Sequence, residues 1–487
     1  MTALPHSARR TSESISRSTV AATIERAGRL FEVCWNVLKP NKADERDGSR
    51  LIRVQKHIID GQYILNQQYR SVAREKERLI AGKSTYNAAW FKRRMGQLDG
   101  YAKALVRAIG VGKALGDGYA WIFYQNQDDL IRKHLERQRQ VFLPPGVGGI
   151  GEIAFVDKLQ GLNRHFVLYH GITSFLRLGD VSFFSPETMT ITSIGELKTS
   201  LISQDRYEIV LNCLYGDSFK IPEIPSDGKQ RRASKSPPMT QKMRDRLNRQ
   251  MREISNAFRA AQTTPEHVVS VITPRPVYFD ELDGTISESR NSGYSYRIAG
   301  KSHVIGTVRL EGATFADRML GEDGTDINPR VDPILSHAST LVDKSLSDNS
   351  AIISMIGYEP DGLPNVDTGT VPLFWWPLQK DNLYDLIFGN VISVSIYNPA
   401  HFWQLLRDNG FSVVTDSKGR FVSASRRHQG RLVKLQNIDR FVRLSGRFLL
   451  SDDALIVTIE KSIDLGANHA PSGPTRIDIV PTIKIVS

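Results

Sequence analysis

Gly179-Asp180-Val181-Ser182-Phe183-Phe184 is followed, beyond the turn-like Ser185-Pro186-Glu187-Thr188, by Ile194-Gly195-Glu196-Leu197-Lys198-Thr199. The flanking runs, Phe175 to Phe184 and Met189 to Thr199, are rich in β-branched and aromatic residues, which predicts two neighbouring strands joined as a hairpin. Side chains alternate along a strand, so Glu196 and Lys198 share one face, Leu197 points to the other, and Asp180 lies across the hairpin from them. Two carboxylates held that close repel one another unless a cation sits between them. A hard divalent ion bound by carboxylate and carbonyl oxygens, Mg²⁺ or Mn²⁺, answers that need. A solvated hairpin carrying a surface ion pair is the competing reading.

These residues resemble the PD-(D/E)XK nuclease superfamily, whose core is a four-stranded mixed sheet flanked by helices. The resemblance covers residues 145–275. Asp180 matches the first acid of the motif, and Glu196 and Lys198 match its second part; Gly179 stands where the family often has Pro. The family also places an acid on the helix before the first core strand, and Gly151 to Leu159 supplies that helix with Glu152. Gln204 and Tyr207 match a Gln or Tyr that some branches carry on the helix after the Lys strand. By this likeness Asp180, Glu196 and the Leu197 carbonyl hold the metal, and Glu152 binds a second ion or orients water. Lys198 positions the attacking water. The relaxed forms Asp227-Gly228-Lys229 and Asp416-Ser417-Lys418 sit in polar, turn-like surroundings without a partner strand.

The charge of the chain points the same way. Its 487 residues carry 64 Lys and Arg against 52 Asp and Glu, a net +12. Residues 1–150 hold 26 basic and 14 acidic side chains, so the whole excess lies in the N-terminal part. Two further basic zones follow, ten Lys/Arg in residues 229–259 and nine in residues 418–447. Such zones favour phosphate by counterion release, and most have no long apolar face beside them, so nucleic acid is the expected partner rather than a membrane. Only Cys34 and Cys213 are present, which excludes a disulfide scaffold or Cys-rich zinc site and suits a cytoplasmic address. No stretch approaches the ~20 apolar residues of a membrane span.

The expected architecture is multidomain α+β. Residues 1–144 form a basic helical bundle, with helices over Thr19 to Leu38, Ser49 to Ala81 and Tyr86 to Gln125 and breaks at Pro40 and near Gly82. Residues 145–275 form the restriction-endonuclease-like α/β core, with a core helix over Asp205 to Leu214 and a strand over His267 to Thr273 that closes its sheet. Residues 217–266 are a basic insertion in that core. Residues 276–487 form a mixed α/β domain without recognisable chemistry, a candidate surface for a homo-oligomer or a partner protein. Within the insertion, Thr240 to Gln262 reads as an amphipathic helix whose Met243, Leu247, Met251, Ile254 and Phe258 share a stripe, leaving Arg244, Arg249 and Arg252 to contact phosphates.

Other motifs fail on context. Gly146-Val147-Gly148-Gly149-Ile150-Gly151 satisfies GxGxxG, but Pro144-Pro145 interrupts the strand before it and no acid ends the strand after it. Gly82-Lys83-Ser84 and Gly300-Lys301-Ser302 lack the first Gly of a Walker A loop. His165 and His170 flank a core strand and read as structural. Phe374-Trp375-Trp376 reads as core or interface. The function expected is therefore metal-dependent hydrolysis of phosphodiester bonds, in DNA, in a setting such as restriction or anti-phage defence. The alternative is a nucleic-acid-binding or scaffold protein with a degenerate nuclease-like core.

Overall fold

A computed structural model of the chain describes residues 15–39, 48–125, 127–144, 146–158, 161–162, 165–203, 206–215, 249, 269–271, 277–310, 312, 314–321, 351–367, 371–416, 421–435, 438–469 and 479–481. Three long helices open it: α1 (Arg17–Leu38), α2 (Gly48–Ala81) and α3 (Ala88–Tyr124). The Ser16 hydroxyl caps α1 by accepting from Thr19 N at 3.2 Å, and Asn87 caps α3 through Ala89 N and Trp90 N. Val54, Ile58, Leu65, Val72 and Leu79 form the buried stripe of α2. The three expected helices are therefore present, as is the break near Gly82, while Pro40 lies outside the described residues.

Helix α3 differs from its neighbours in being buried on every side from Ala108 to Ala120, the pattern of a helix surrounded by protein. Its glycines explain how neighbours come so close. A Cβ on Gly116 would lie 2.1 Å from the Ile172 carbonyl, and one on Gly118 would lie 2.3 Å from the Phe374 ring. Helix α3 is thus a central pillar with the bundle, the central sheet and the C-terminal part packed around it. Helices α4 (Asp128–Leu135) and α5 (Gly146–Lys158) follow. The GxGxxG stretch lies inside α5, which rules out a phosphate-cradling loop there.

The central sheet has the order β1 (Gly161–Leu162), β2 (His165–Tyr169), β3 (Val181–Ser185), β4 (Thr190–Ser203) and β5 (Arg206–Tyr215). Each strand is antiparallel to the next. Three expectations are corrected here. The sheet is an antiparallel meander among the described residues, where a mixed sheet was expected. The segment expected as a helix from Asp205 to Leu214 is, from Arg206 on, strand β5, paired antiparallel with β4 and carrying the strand-favouring Tyr207, Ile209, Val210 and Tyr215. The strand over His267 to Thr273, β6 (Val269–Val271), pairs in parallel with Ile479 to Pro481 and leaves the central sheet unclosed by it.

The remainder runs α6 (Phe279–Ser292), β7 (Tyr294–Ala299), β8 (His303–Arg309), α7 (Phe315–Leu320), β9 (Ile352–Met355), α8 (Lys380–Ile387), β10 (Val391–Tyr397), α9 (Ala400–Asp408), β11 (Ser412–Thr415), β12 (Phe421–His428), β13 (Arg431–Leu435), α10 (Ile438–Phe448), α11 (Asp452–His469) and β14 (Ile479–Pro481). It holds a four-stranded antiparallel sheet, β7-β8-β10-β9, and a three-stranded one, β11-β12-β13. The chain is mixed α+β. Phe374 and Trp376 are core residues, as expected, and one apolar cluster joins Val20 in α1 to Ile463 in α11. No helix among the described residues is long and apolar enough to cross a membrane.

Candidate metal centre at the mouth of the central hairpin

Strand β3 is shorter than β4, and the site lies where it stops. The register pairs Val181 with Gly195, which sets Asp180 opposite Glu196. Asp180 N still donates to Gly195 O at 2.8 Å, and its carbonyl accepts from His170 N at 2.9 Å. Beyond that point β4 has no strand partner on its β3 side among the described residues. The Asp180 carboxylate replaces one, with Oδ2 accepting from Leu197 N at 2.6 Å. N–H and C=O of one residue point to the same side of an antiparallel strand, so the Leu197 carbonyl lies on this same edge. Gly179 turns the chain into the site at φ +71°, and a Cβ there would meet Ile194 Cγ2 at 2.6 Å. A side chain at this position would therefore be strained.

The other expected residues are close by. Glu196 is buried and accepts from the Lys198 ammonium at 2.6 Å, while Lys198 stays a quarter exposed. Helix α5 passes so near β4 that a Cβ on Gly151 would lie 2.0 Å from Thr199 Oγ1. The next residue, Glu152, accepts from the Tyr169 hydroxyl at 2.7 Å through Oε2. Burial and the nearby Glu196 and Glu152 carboxylates push the Asp180 carboxyl well above the usual carboxylate range, outweighing Leu197 N–H and Lys198. Glu152 is pushed up to about 7, chiefly by burial and further by Glu196, against the Tyr169 hydrogen bond. Asp180 therefore feels the charge of both Glu196 and Glu152, and Glu152 feels that of Glu196, with the Lys198 ammonium opposing both effects.

Each acid is also tied by one oxygen to a separate donor, namely Leu197 N, Tyr169 and Lys198. Among the described residues no group of three or more His, Cys, Asp or Glu side chains closes to metal-holding distance. The oxygen donors at the site are the carboxylates of Asp180 and Glu196 and the edge carbonyl of Leu197, the donor type that hard divalent ions take, with Glu152 hydrogen-bonded to Tyr169. His170 lies outside this donor set. Its Nδ1 donates to Gly179 O and its Nε2 meets Ser182 Oγ, and burial lowers its imidazole to about 4, so it is a structural histidine.

Glu152 and Asp180 line a cleft whose other walls include Lys113 and Arg177. Sequence reasoning missed Tyr169, Lys113 and Asp117. Lys113 and Asp117 left a signal, two charges amid the Gly-rich apolar run from Ala108 to Ala120. Tyr169 left none, since a tyrosine ending a strand is ordinary. Of the expected phosphate contacts, Arg244 and Arg252 lie outside the described residues, as does Gln204; Arg249 is helical and exposed. Tyr207 lies in β5 rather than on a helix. No family model, curated protein or solved structure matches this chain.

Proposed function

We propose that this chain is a metal-dependent nuclease that hydrolyses phosphodiester bonds, with DNA as its substrate. The observation that supports this most is the hairpin mouth itself, where one strand end and one strand edge bring Asp180, Glu196, Lys198 and the Leu197 carbonyl together. A divalent ion held by Asp180, Glu196 and the Leu197 carbonyl would supply positive charge to the phosphate oxygens. Lys198, held beside Glu196, orients water at the cleft and offsets the charge that grows on phosphate as the water oxygen adds. Glu152, with its carboxyl near 7, is suited to take the proton that this water loses. The new bond is from water oxygen to phosphorus, the broken bond is from phosphorus to the 3′-oxygen, and the leaving oxygen takes its proton from solvent.

The test is incubation of the full chain with plasmid, single-stranded DNA and RNA, with Mg²⁺, with Mn²⁺ and with chelator. Cleavage that needs metal and disappears in Asp180→Asn and Glu196→Gln supports the reading. A second reading is favoured by two observations, the separate anchoring of the three acids and the strand β5 in place of a core helix. It is a nucleic-acid-binding protein whose nuclease-like core is degenerate. Salt-sensitive binding of nucleic acid, with no cleavage and no heat of Mn²⁺ binding, would establish it in place of the first.

A further inference from the structure

The segment from His170 to Gly179 leads directly into Asp180. It contains one 3₁₀ turn, His170–Ile172, and no strand, yet Ile172 and Thr173 to Leu176 are buried. Buried peptide groups require partners; some lie within the loop, as where Leu176 N donates to Thr173 Oγ1 and the Arg177 side chain donates to Ser174 O, and the others are side chains of helices α2, α3 and α4. Lys113 Nζ donates to the carbonyls of Gly171 at 2.7 Å and Thr173 at 3.0 Å. Asp117 accepts from Ser174 N at 2.6 Å and from Ser174 Oγ. Gln62 Nε2 donates to Ile172 O, and His134 Nδ1 accepts from both Arg177 N and Leu178 N. Lys113 and Asp117 are four residues apart on α3 and so stand on one face of it. Between them Gly116 lets the Ile172 carbonyl touch the helix.

We propose that Lys113 and Asp117 are positioning residues of the acid site, which lock the loop His170 to Gly179 onto α3 and so hold Asp180 in register with Leu197. Part of the proposal, its effect on metal affinity, rests on the nuclease reading; the lock itself does not. Burial disfavours the Lys113 ammonium, and a packed apolar residue of its size would spare that penalty. Its contribution is thus the pair of carbonyls it holds. The N-terminal helices become part of the scaffold of the site, in addition to any contact they make with substrate.

Two measurements on the full chain test this, hydrogen exchange over residues 170–180 and calorimetry with Mn²⁺, both well below the melting temperature. In Lys113→Met and Asp117→Ala, exchange over 170–180 should quicken at least about tenfold while α1 and the β12–β13 hairpin keep their protection. Mn²⁺ affinity should fall roughly 10- to 100-fold, as for other groups that orient metal ligands. Asp117→Asn, which still accepts from Ser174 N, should restore both. Should the larger changes unfold the chain, Ser174→Ala removes one hydrogen bond and should give the same local pattern, smaller. Unchanged exchange over 170–180, exchange raised equally throughout, or local loosening with unaltered Mn²⁺ affinity each overturns the proposal. A wild type that binds no Mn²⁺ overturns the metal reading instead, and the exchange pattern alone then decides the lock.

Discussion

Asp180 and Asp385 are both acids packed among the ends of secondary structure, and their surroundings are opposite. Asp385, on α8, receives Arg309 at 2.8 Å, Arg290 at 2.9 Å and Asn390 at 2.6 Å. Burial pushes its carboxyl up, but these donors outweigh it and hold the group below the usual carboxylate range. Asp180 has one backbone N–H, the field of one ammonium that is paired with Glu196, and two neighbouring carboxylates, and it goes the other way. The first arrangement ties α6, β8 and α8 together. The second crowds carboxyl groups together in a buried setting, so burial and mutual repulsion disfavour the charged forms of Asp180 and Glu152.

The largest expected effect separates the two by activity. Asp180→Ala and Glu196→Ala should remove metal-dependent cleavage and the rise in melting temperature on adding Mn²⁺, whereas Asp385→Ala should leave the activity of the folded fraction unchanged. Cleavage retained by both site variants would end the site assignment. Lys198→Ala comes next. It should slow cleavage about 100-fold, corresponding to ~3 kcal/mol of transition-state stabilisation, while sparing Mn²⁺ affinity. An equal loss of affinity would reduce Lys198 to a strut for Glu196.

Stability should show the inverse order. Asp385→Ala leaves two arginines facing a gap and should destabilise by about 2 kcal/mol, discounted from the ~3–5 of a fully buried pair because Arg290 and Arg309 are partly solvated. Asp180→Asn keeps an acceptor for Leu197 N and removes a repelled charge, so the metal-free melting temperature should rise. A fall as large as that of Asp385→Ala would erase the contrast.

The pH dependence sharpens it further. Glu152 is raised from 4.5 to about 7, so between these values the folded chain binds more protons than the unfolded, and metal-free stability should fall as pH rises through that window. Asp117, raised from 3.8 to about 6 mainly by burial, adds to the same limb. Lys113 is lowered from 10.5 to about 7, so the unfolded chain binds more protons above neutrality and stability should recover as pH rises further. Asp385, held low, contributes stability that is lost only as pH falls through about 3.8 and below, the usual Asp value. Melting curves should thus show a minimum near neutral pH, with Glu152→Gln flattening its acid side and Lys113→Met its alkaline side. The smallest effect concerns Arg244, Arg249 and Arg252. Each change to Gln that removes a phosphate contact should flatten the slope of log K against log[salt] by roughly 0.9 on duplex DNA.

What the residues determined by themselves is local. The β-branched runs, the turn Ser185 to Thr188 and the alternation of Glu196, Leu197 and Lys198 specify a hairpin within a few residues, and the structure has it. The Ser16 cap of α1, the Asn87 cap of α3 and the apolar stripe of α2 are equally local. Tertiary structure decided what depends on distant partners. The run from Arg206 to Tyr215 is a strand through its pairing along the edge of β4, a partner that its own mixed pattern does not specify. Val269 to Val271 found its partner at Ile479 to Pro481, over 200 residues on, which no local pattern announces. Tyr169 became the anchor of Glu152, and Lys113 and Asp117 the anchors of the loop before Asp180, only when packing took their polar groups from water. A hydrogen bond made in water adds little, whereas one that satisfies a buried peptide or carboxyl group is required, and which groups are buried is settled by the assembled fold.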